Sequence, residues 1–154
     1  MPKPLPPDVD DCTIPHEELL YVRVIADKDS IIFDHDLKRW RPTSSALKSR
    51  EEPLSVDLSS ISTPQETKDR ATIPGHFHVA AFTAITARKY GCRVVRDPDE
   101  ATPTTPANPA HALVFGDHKS KSGGLTDSSQ ARRIAHGAWI ILLNEHADWP
   151  PRAE

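Results

Sequence analysis

The stretch 76-HFHVAAFTAITARKYG-91 decides the fold class. Gly91 is suited to end a helix in the left-handed conformation, and Arg88 and Lys89 would lie in the last helical turn, where cations are favourable. The pattern therefore predicts a helix over this stretch, and its alanines indicate close packing against a sheet. A chain with such helices and several strands belongs to the α+β class, here with two to three helices packed on a small mixed sheet in a single domain.

Several short segments around this stretch predict strands. Residues 54–58, LSVDL, alternate apolar and polar side chains with a period of two, which is typical of a half-buried strand. The other predicted strands cover residues 20–25, 31–33, 92–95 and 110–116. Residues 139–143, WIILL, fit either a continued helix or a last strand, because periodicity alone does not separate the two.

Two further helices are predicted from residues that can cap their first turn. In STPQET, Thr63 can cap a helix, Pro64 fits its first turn and Glu66 can complete a capping box. Asp127 with Gln130 forms a similar start for a later helix. Residues 97–109 hold four prolines and are predicted to be an irregular loop.

The two ends differ in composition from the rest of the chain. Residues 1–15 carry five prolines and are predicted to be a disordered, proline-rich arm. Residues 16–143 are predicted to form the single α+β domain, and residues 144–154 a flexible tail. With 154 residues, a chain of this kind can bury a core without metal or disulfide bonds.

Charge and cysteine content narrow the class of protein. The net charge of −3 provides no general attraction to nucleic acid or to anionic membranes. The cysteines, Cys12 and Cys92, form neither a CxxC pair nor a zinc pattern, and two free thiols favour the cytoplasm. The longest apolar run, AWIILL, is too short to span a bilayer. We expect a soluble cytoplasmic protein without a membrane partner.

The segment 39-RWRPTSSALK-48 holds the densest set of candidate ligand-binding groups. Arg39, Arg41 and Lys48 can bind phosphate or carboxylate, and the planar guanidinium group can do so with two hydrogen bonds. Trp40 could stack on a base or form the wall of a pocket.

Three consecutive hydroxyl groups follow Pro42 in the same segment, those of Thr43, Ser44 and Ser45. Together with the cations they predict a site for an anionic small molecule such as a nucleotide. The alternative is a loop between strands in which Trp40 fills the core and the cations lie in solvent.

His111 is the candidate catalytic residue, because it begins a predicted strand directly after the proline-rich loop. Its imidazole could act as a general base near neutral pH. A Ser–His pair with Ser44 follows if that strand lies beside residues 43–45. His76 and His78 would diverge on a helix, and no spacing resembles a zinc motif. We therefore predict no metal site and no cofactor.

The pieces YVRV, residues 21–24, and RWRPTS, residues 39–44, resemble the first strand and the RW-x-P segment of RES-type ADP-ribosyltransferase-like toxins. In that family an arginine and a later serine help to hold NAD. The resemblance implies Arg23 and either Ser44 or Ser45 as the matching positions. It covers the first third of the chain, and the glutamate-bearing segment of the family has no counterpart downstream.

Two functions follow from these residues. The first is an accessory module that binds an anionic small molecule or a protein partner. It is favoured because an enzyme needs an acid, a base and an electrophile together in one cleft, and the sequence offers only isolated candidates for these roles. The second is a small nucleotide- or NAD-processing enzyme that uses Arg23, Ser44 and His111. A nucleic-acid partner ranks below both, since the chain is acidic and aromatic residues make up only 6% of it.

Overall fold

The computed structural model describes residues 10–48, 52–116, 123–125 and 128–144. The strands in these residues are β1 Leu19–Ile25, β2 Ile31–Asp34, β3 Arg39–Pro42, β4 Leu54–Leu58, β5 Phe77–Thr83, β6 Arg93–Arg96, β7 His111–Phe115 and β8 Trp139–Leu142. The α-helices are α1 Ser44–Leu47, α2 Pro64–Asp69, α3 Ala84–Lys89 and α4 Ser128–His136, and a short 3₁₀ helix spans Pro74–His76.

Six of these strands form one sheet in the order β6-β7-β4-β1-β5-β8, and β2 and β3 form a separate hairpin. The predicted α+β class and single domain are confirmed. Among the described residues there are four α-helices rather than two to three. The sheet was expected to be mixed, and every strand pair in the described residues is antiparallel. A parallel pair would need a long crossover connection between its two strands.

The predicted helix over residues 76–91 is wrong in its first half. Phe77–Thr83 is strand β5, which pairs with all seven residues of β1 from Phe77 opposite Ile25 to Thr83 opposite Leu19. The segment is buried on both faces, so its apolar residues run continuously, and such a run fits a helix as well as a strand. The helix begins only at Ala84, after Thr83, whose side chain accepts a hydrogen bond from the Thr86 backbone N–H.

Other predictions are confirmed. Helix α2 has the full capping box, because Thr63 accepts from the backbone N–H of Glu66 and Glu66 accepts from that of Thr63. Gly91 follows α3 with a φ of +87°, as a left-handed terminator requires. For residues 139–142, where helix and strand were both left open, the structure shows strand β8, which pairs with β5. Asp127 lies outside the described residues, so its capping role stays a prediction.

The two faces of the sheet differ in chemistry. On one face, Leu20 and Val22 of β1 and Val56 and Leu58 of β4 are buried in the main apolar cluster, to which α1, α3 and α4 also contribute side chains. Because side chains alternate along a strand, the residues between them point to the other face. That second face carries Tyr21, and it is the face over which α2 packs against β1 and β5.

Residues at both predicted ends make specific contacts. The backbone N–H of Asp11 donates to the carbonyl of Val94 on the edge strand β6, and Ile14 is buried. Residues 10–15, assigned to a disordered arm, thus extend the ordered domain, because they hydrogen-bond to free backbone groups of the edge strand β6. Asn144, assigned to the tail, is buried and its backbone N–H donates to Nδ1 of His78. Residues 1–9 and 145–154 lie outside the described residues.

Candidate functional site

A row of three polar side chains crosses the second face of the sheet. Asp57 on β4 lies opposite Tyr21 on β1 and, on its other side, opposite His111 on β7. Directly opposed residues of antiparallel strands have their side chains on the same face and within contact range. The row therefore brings a phenol, a carboxylate and an imidazole together in the middle of the domain.

The Asp57 carboxylate is buried and is held by three donors. Its Oδ2 accepts from the Thr67 hydroxyl at 2.7 Å and from Nη1 of Arg70 at 2.8 Å. Its Oδ1 accepts from the Asn108 amide at 2.9 Å. Only 5% of the Asp57 side chain is exposed, so these donors replace water around the charge.

Helix α2 fixes the donors on one side of this carboxylate. Nη1 of Arg70 also donates to the Ser62 hydroxyl at 2.8 Å, and that hydroxyl lies 3.1 Å from the hydroxyl of Thr67. Nη1 of Arg23 donates to the Thr67 carbonyl at 3.0 Å, which ties β1 to the helix. The capping box at the start of α2 thereby positions the groups that surround Asp57.

His111 is oriented by the residue that follows β6. Its Nδ1 lies 2.8 Å from the Asp97 carbonyl oxygen and 3.3 Å from Oδ2 of the same residue. The Asp97 backbone N–H in turn donates to the His111 carbonyl at 2.9 Å, which continues the pairing of β6 with β7. With Nδ1 engaged in this way, Nε2 is the ring nitrogen left to meet a ligand.

The loop between β6 and β7 is irregular, as predicted, and is braced near its base. Backbone hydrogen bonds join Asp99 and Asn108 in both directions at 2.9 Å. This bridge places the Asn108 amide on Asp57 and the Asp99 carboxylate near His111, with 3.7 Å between Oδ1 of Asp99 and Nδ1 of His111.

An open groove of about 1260 Å³ lies between α2 and this loop, above the polar row. Its lining includes Tyr21, Arg23, Asp57, Thr67, Arg70 and His111. The loop adds the hydroxyl groups of Thr102, Thr104 and Thr105. Concave surfaces that combine apolar walls with a few fixed polar groups are the usual form of a ligand site.

Burial affects two titratable side chains near the middle of the sheet. Burial raises the pKa of Tyr21, and the Glu18 carboxylate adds to the effect, so the phenol keeps its proton and stays a donor at neutral pH. On the core face, burial lowers the pKa of His78 to about 4, with a further contribution from Lys68, so this imidazole is neutral at pH 7.

Two of the residues predicted from the sequence, Arg23 and His111, line the same groove. Among the described residues, those of the segment 39–48 do not line it. The expected convergence of Ser44 and Arg41 with His111 in this concavity is therefore not seen. Ser44 begins α1, where its carbonyl accepts the Lys48 backbone N–H.

The arginines and the tryptophan of that segment contact other parts of the protein. The Arg39 guanidinium lies over the ring of Trp139 at 5.3 Å, and Nε of Arg41 is 3.3 Å from Oδ2 of Asp34. Trp40 is partly buried against the core, and its ring meets that of Phe33 edge-on at 5.4 Å. Trp40 thus packs against the core as in the alternative, but Arg39 and Arg41 contact other side chains and do not lie in solvent.

The hydroxyl groups beside Pro42 also have internal contacts. The Thr43 hydroxyl donates to the Asp29 carbonyl at 3.0 Å and lies 3.2 Å from that of Ser45. On the neighbouring strand, the backbone N–H groups of Leu37 and Asp36 and the Arg41 guanidinium lower the pKa of Asp34. The segment holds the β2–β3 hairpin together through these bonds.

The acidic residues of the site were not predicted from the sequence. Asp57 stands at a polar position of the LSVDL pattern, so its face was predictable, but its burial depends on α2 and on Asn108. Asp97 and Asp99 follow β6 directly in the stretch DPD. Only the pairing of β6 with β7, which periodicity does not give, shows that they meet His111.

Comparisons with protein-family models, with curated proteins and with solved structures found no match to this chain. Among the described residues, no helix combines the length and the apolar content needed to cross a membrane. Cys12 is exposed and Cys92 is buried.

Proposed function

We propose that this domain is a binding module that holds a small hydroxyl-rich organic molecule, such as a nucleoside or a sugar, in the groove above Asp57. The observation that carries this proposal is the orientation of His111. Its Nδ1 is held by Asp97 while its ring lines the groove, beside a carboxylate with three donors. A ring fixed in this way offers one nitrogen to a ligand at little entropic cost.

The charges around the groove support a neutral or cationic ligand. Its acidic residues are Asp57, Glu66, Asp69, Asp99 and Glu100, and its arginines are Arg23 and Arg70. Both arginines already donate to oxygen atoms of the protein. A free phosphate would meet more repulsion than attraction, so the proposed ligand differs from the anion expected from the sequence.

The loop hydroxyls support a ligand with many hydrogen-bonding groups. Thr102, Thr104 and Thr105 are exposed at the groove and can both donate and accept. The apolar part of the lining, which includes Phe77, can accommodate the face of a ring.

The test is thermal shift and calorimetry with adenosine, D-ribose, NAD and inorganic phosphate. A ligand at one hundred times its Kd should raise the free energy of unfolding by about 2.7 kcal/mol. We expect a shift with adenosine or ribose and none with phosphate. His111→Gln should weaken that binding by about tenfold or more, the scale of one lost hydrogen bond to a fixed group, and the exposed control His136→Gln should leave it unchanged. The absence of a shift with all four compounds would remove this proposal.

A second candidate function is NAD processing. It is favoured by one observation, that Arg23 and His111 line one groove. Ser44, the third residue expected for it, begins helix α1 and is not in the lining of that groove. Binding of NAD in the same assay, followed by release of nicotinamide, would support this candidate over a binding module.

A further inference from the structure

We propose that Asp97, Asp99 and His111 form a binding site for a divalent metal ion at the base of the β6–β7 loop. One ligand atom from each of these side chains lies within 4.8 Å of the other two. The groove ligand proposed above does not require such a site, but both use the His111 ring: an ion at Nδ1 replaces the hydrogen bond to the Asp97 carbonyl and leaves Nε2 towards the groove.

The spacing of the donor atoms fits a shared ion. Nδ1 of His111 is 3.3 Å from Oδ2 of Asp97 and 3.7 Å from Oδ1 of Asp99. Ligands at about 2.1 Å from a metal lie about 3.0 Å apart at a right angle and about 3.4 Å apart at the tetrahedral angle. At about 2.1 Å from an ion, these separations correspond to angles of about 104° and about 124°, on either side of the tetrahedral value, so small side-chain rotations suffice to bind an ion.

A fourth oxygen is already in place. The Asp97 carbonyl is the hydrogen-bond partner of the same Nδ1 at 2.8 Å, so an ion at Nδ1 takes the place of the ring proton and meets this oxygen as well. The site would thus offer one imidazole nitrogen, two carboxylates and one carbonyl. Mixed nitrogen and oxygen donors suit Mn²⁺, Zn²⁺ and similar ions, whereas a purely oxygen site would favour Mg²⁺ or Ca²⁺.

The backbone holds these donors in position without an ion. Asp97 is paired with His111 at the end of the β6–β7 ladder, and Asp99 is paired with Asn108 on the other side of the loop base. The side chains of Asp97 and Asp99 are 43% and 55% exposed, whereas that of His111 is 16% exposed. An ion could therefore enter from solvent and keep open positions for water or for a ligand oxygen in the groove.

Local charge adds to the argument for a cation. Asp57 and Glu100 line the same groove as Asp99 and His111, and Arg70, the nearest arginine to Asp57, is already bonded to it. A divalent ion would reduce the repulsion among these carboxylates. A hydrogen bond from Nδ1–H of His111 to Asp97, with no ion present, is the alternative explanation for the same distances.

Titration of the full chain with Mn²⁺ after treatment with a chelator distinguishes a metal site from this alternative. We expect one bound Mn²⁺ per chain, seen as loss of the free-ion signal in electron paramagnetic resonance. Asp99→Asn should weaken binding by at least about tenfold, a scale set by the effect of removing groups around metal ligands. Because Asp99 is exposed and its backbone pairing does not involve the carboxylate, this variant should fold normally, which circular dichroism would verify.

Asp36→Asn is the matched control, since Asp36 is an exposed aspartate between β2 and β3 and is not among the residues that line the groove. Its Mn²⁺ affinity should equal that of the wild type. A second readout is the ¹⁵N spectrum of the His111 ring, in which Zn²⁺ should shift the Nδ1 resonance. The proposal is overturned if Mn²⁺ shows no saturable binding up to about 1 mM, or if Asp99→Asn and His111→Gln bind it as the wild type does.

Discussion

Asp57 and His111 face each other across the neighbouring strands β4 and β7, and both side chains lie on the face of the sheet that does not hold the main core. The carboxylate is nearly enclosed, whereas the imidazole lines the groove. One residue of the pair is thus buried, and the other lies at the surface of the groove. This division follows from α2, which covers Asp57 and leaves His111 at the open side.

Replacing Asp57 by Asn should destabilise the fold. The change removes the charge opposite Arg70 and leaves the guanidinium without its carboxylate, although Arg70 retains some contact with solvent. We expect a loss of about 2 to 4 kcal/mol in the free energy of unfolding, measured by urea denaturation. The control Asp69→Asn, at an exposed position of α2, should change the free energy of unfolding by less than about 0.5 kcal/mol. Equal effects of the two variants would show that the Asp57 cluster does not stabilise the domain.

Acid should weaken the fold through His78. Its pKa is lowered from 6.5 to about 4 in the folded chain, so the unfolded chain binds the proton more strongly. Stability from this residue is fully present above about pH 6.5 and is lost as the pH falls towards 4. The loss should be on the order of 3 kcal/mol over this range.

The measurement is urea denaturation at several pH values in this window. Carboxylates also titrate there, so the readout is the difference between the wild type and His78→Gln, which keeps a neutral acceptor for the Asn144 backbone N–H. The variant should show the shallower pH dependence. If the exposed His136→Gln flattens the curve as much as His78→Gln does, the buried imidazole is not the source.

Replacing Arg39 by Ala should affect stability and leave the groove unchanged. The guanidinium lies over Trp139, and its Nε is buried without a hydrogen-bond partner among the described residues. We expect a loss of about 1 kcal/mol in the free energy of unfolding, since one cation–π contact and some packing disappear. Mn²⁺ affinity and the thermal shift with adenosine should equal those of the wild type. Arg132→Ala, at an exposed position of α4, is the control for stability.

Much of the fold could be predicted from the sequence because its signals are local. The capping box at Thr63, the left-handed Gly91 and the alternation in LSVDL each depend on a few neighbouring residues. The strand β5 could not be predicted in the same way. It is flanked within the sheet by β1 and β8, and its two faces are covered by the layers packed on the sheet. This burial is a property of the assembled sheet.

The site was less predictable for the same reason. Arg39, Arg41 and Thr43 attract attention as a dense set of donors, but each finds a partner within the hairpin or on β8. The groups that meet at the groove come from separate parts of the chain, such as Asp57 and His111. Only strand order brings them together, and nothing in the local sequence encodes that order.

The most direct test of the central claim, that the groove above Asp57 is the ligand site, is a titration of ¹⁵N-labelled protein with adenosine followed by NMR. The account predicts shift changes centred on the backbone amides of His111, Asp57, Asn108 and Thr104, and in His111→Gln they should need about tenfold more adenosine. Shift changes centred on residues 39–48, or no changes with adenosine, D-ribose or NAD, would contradict it.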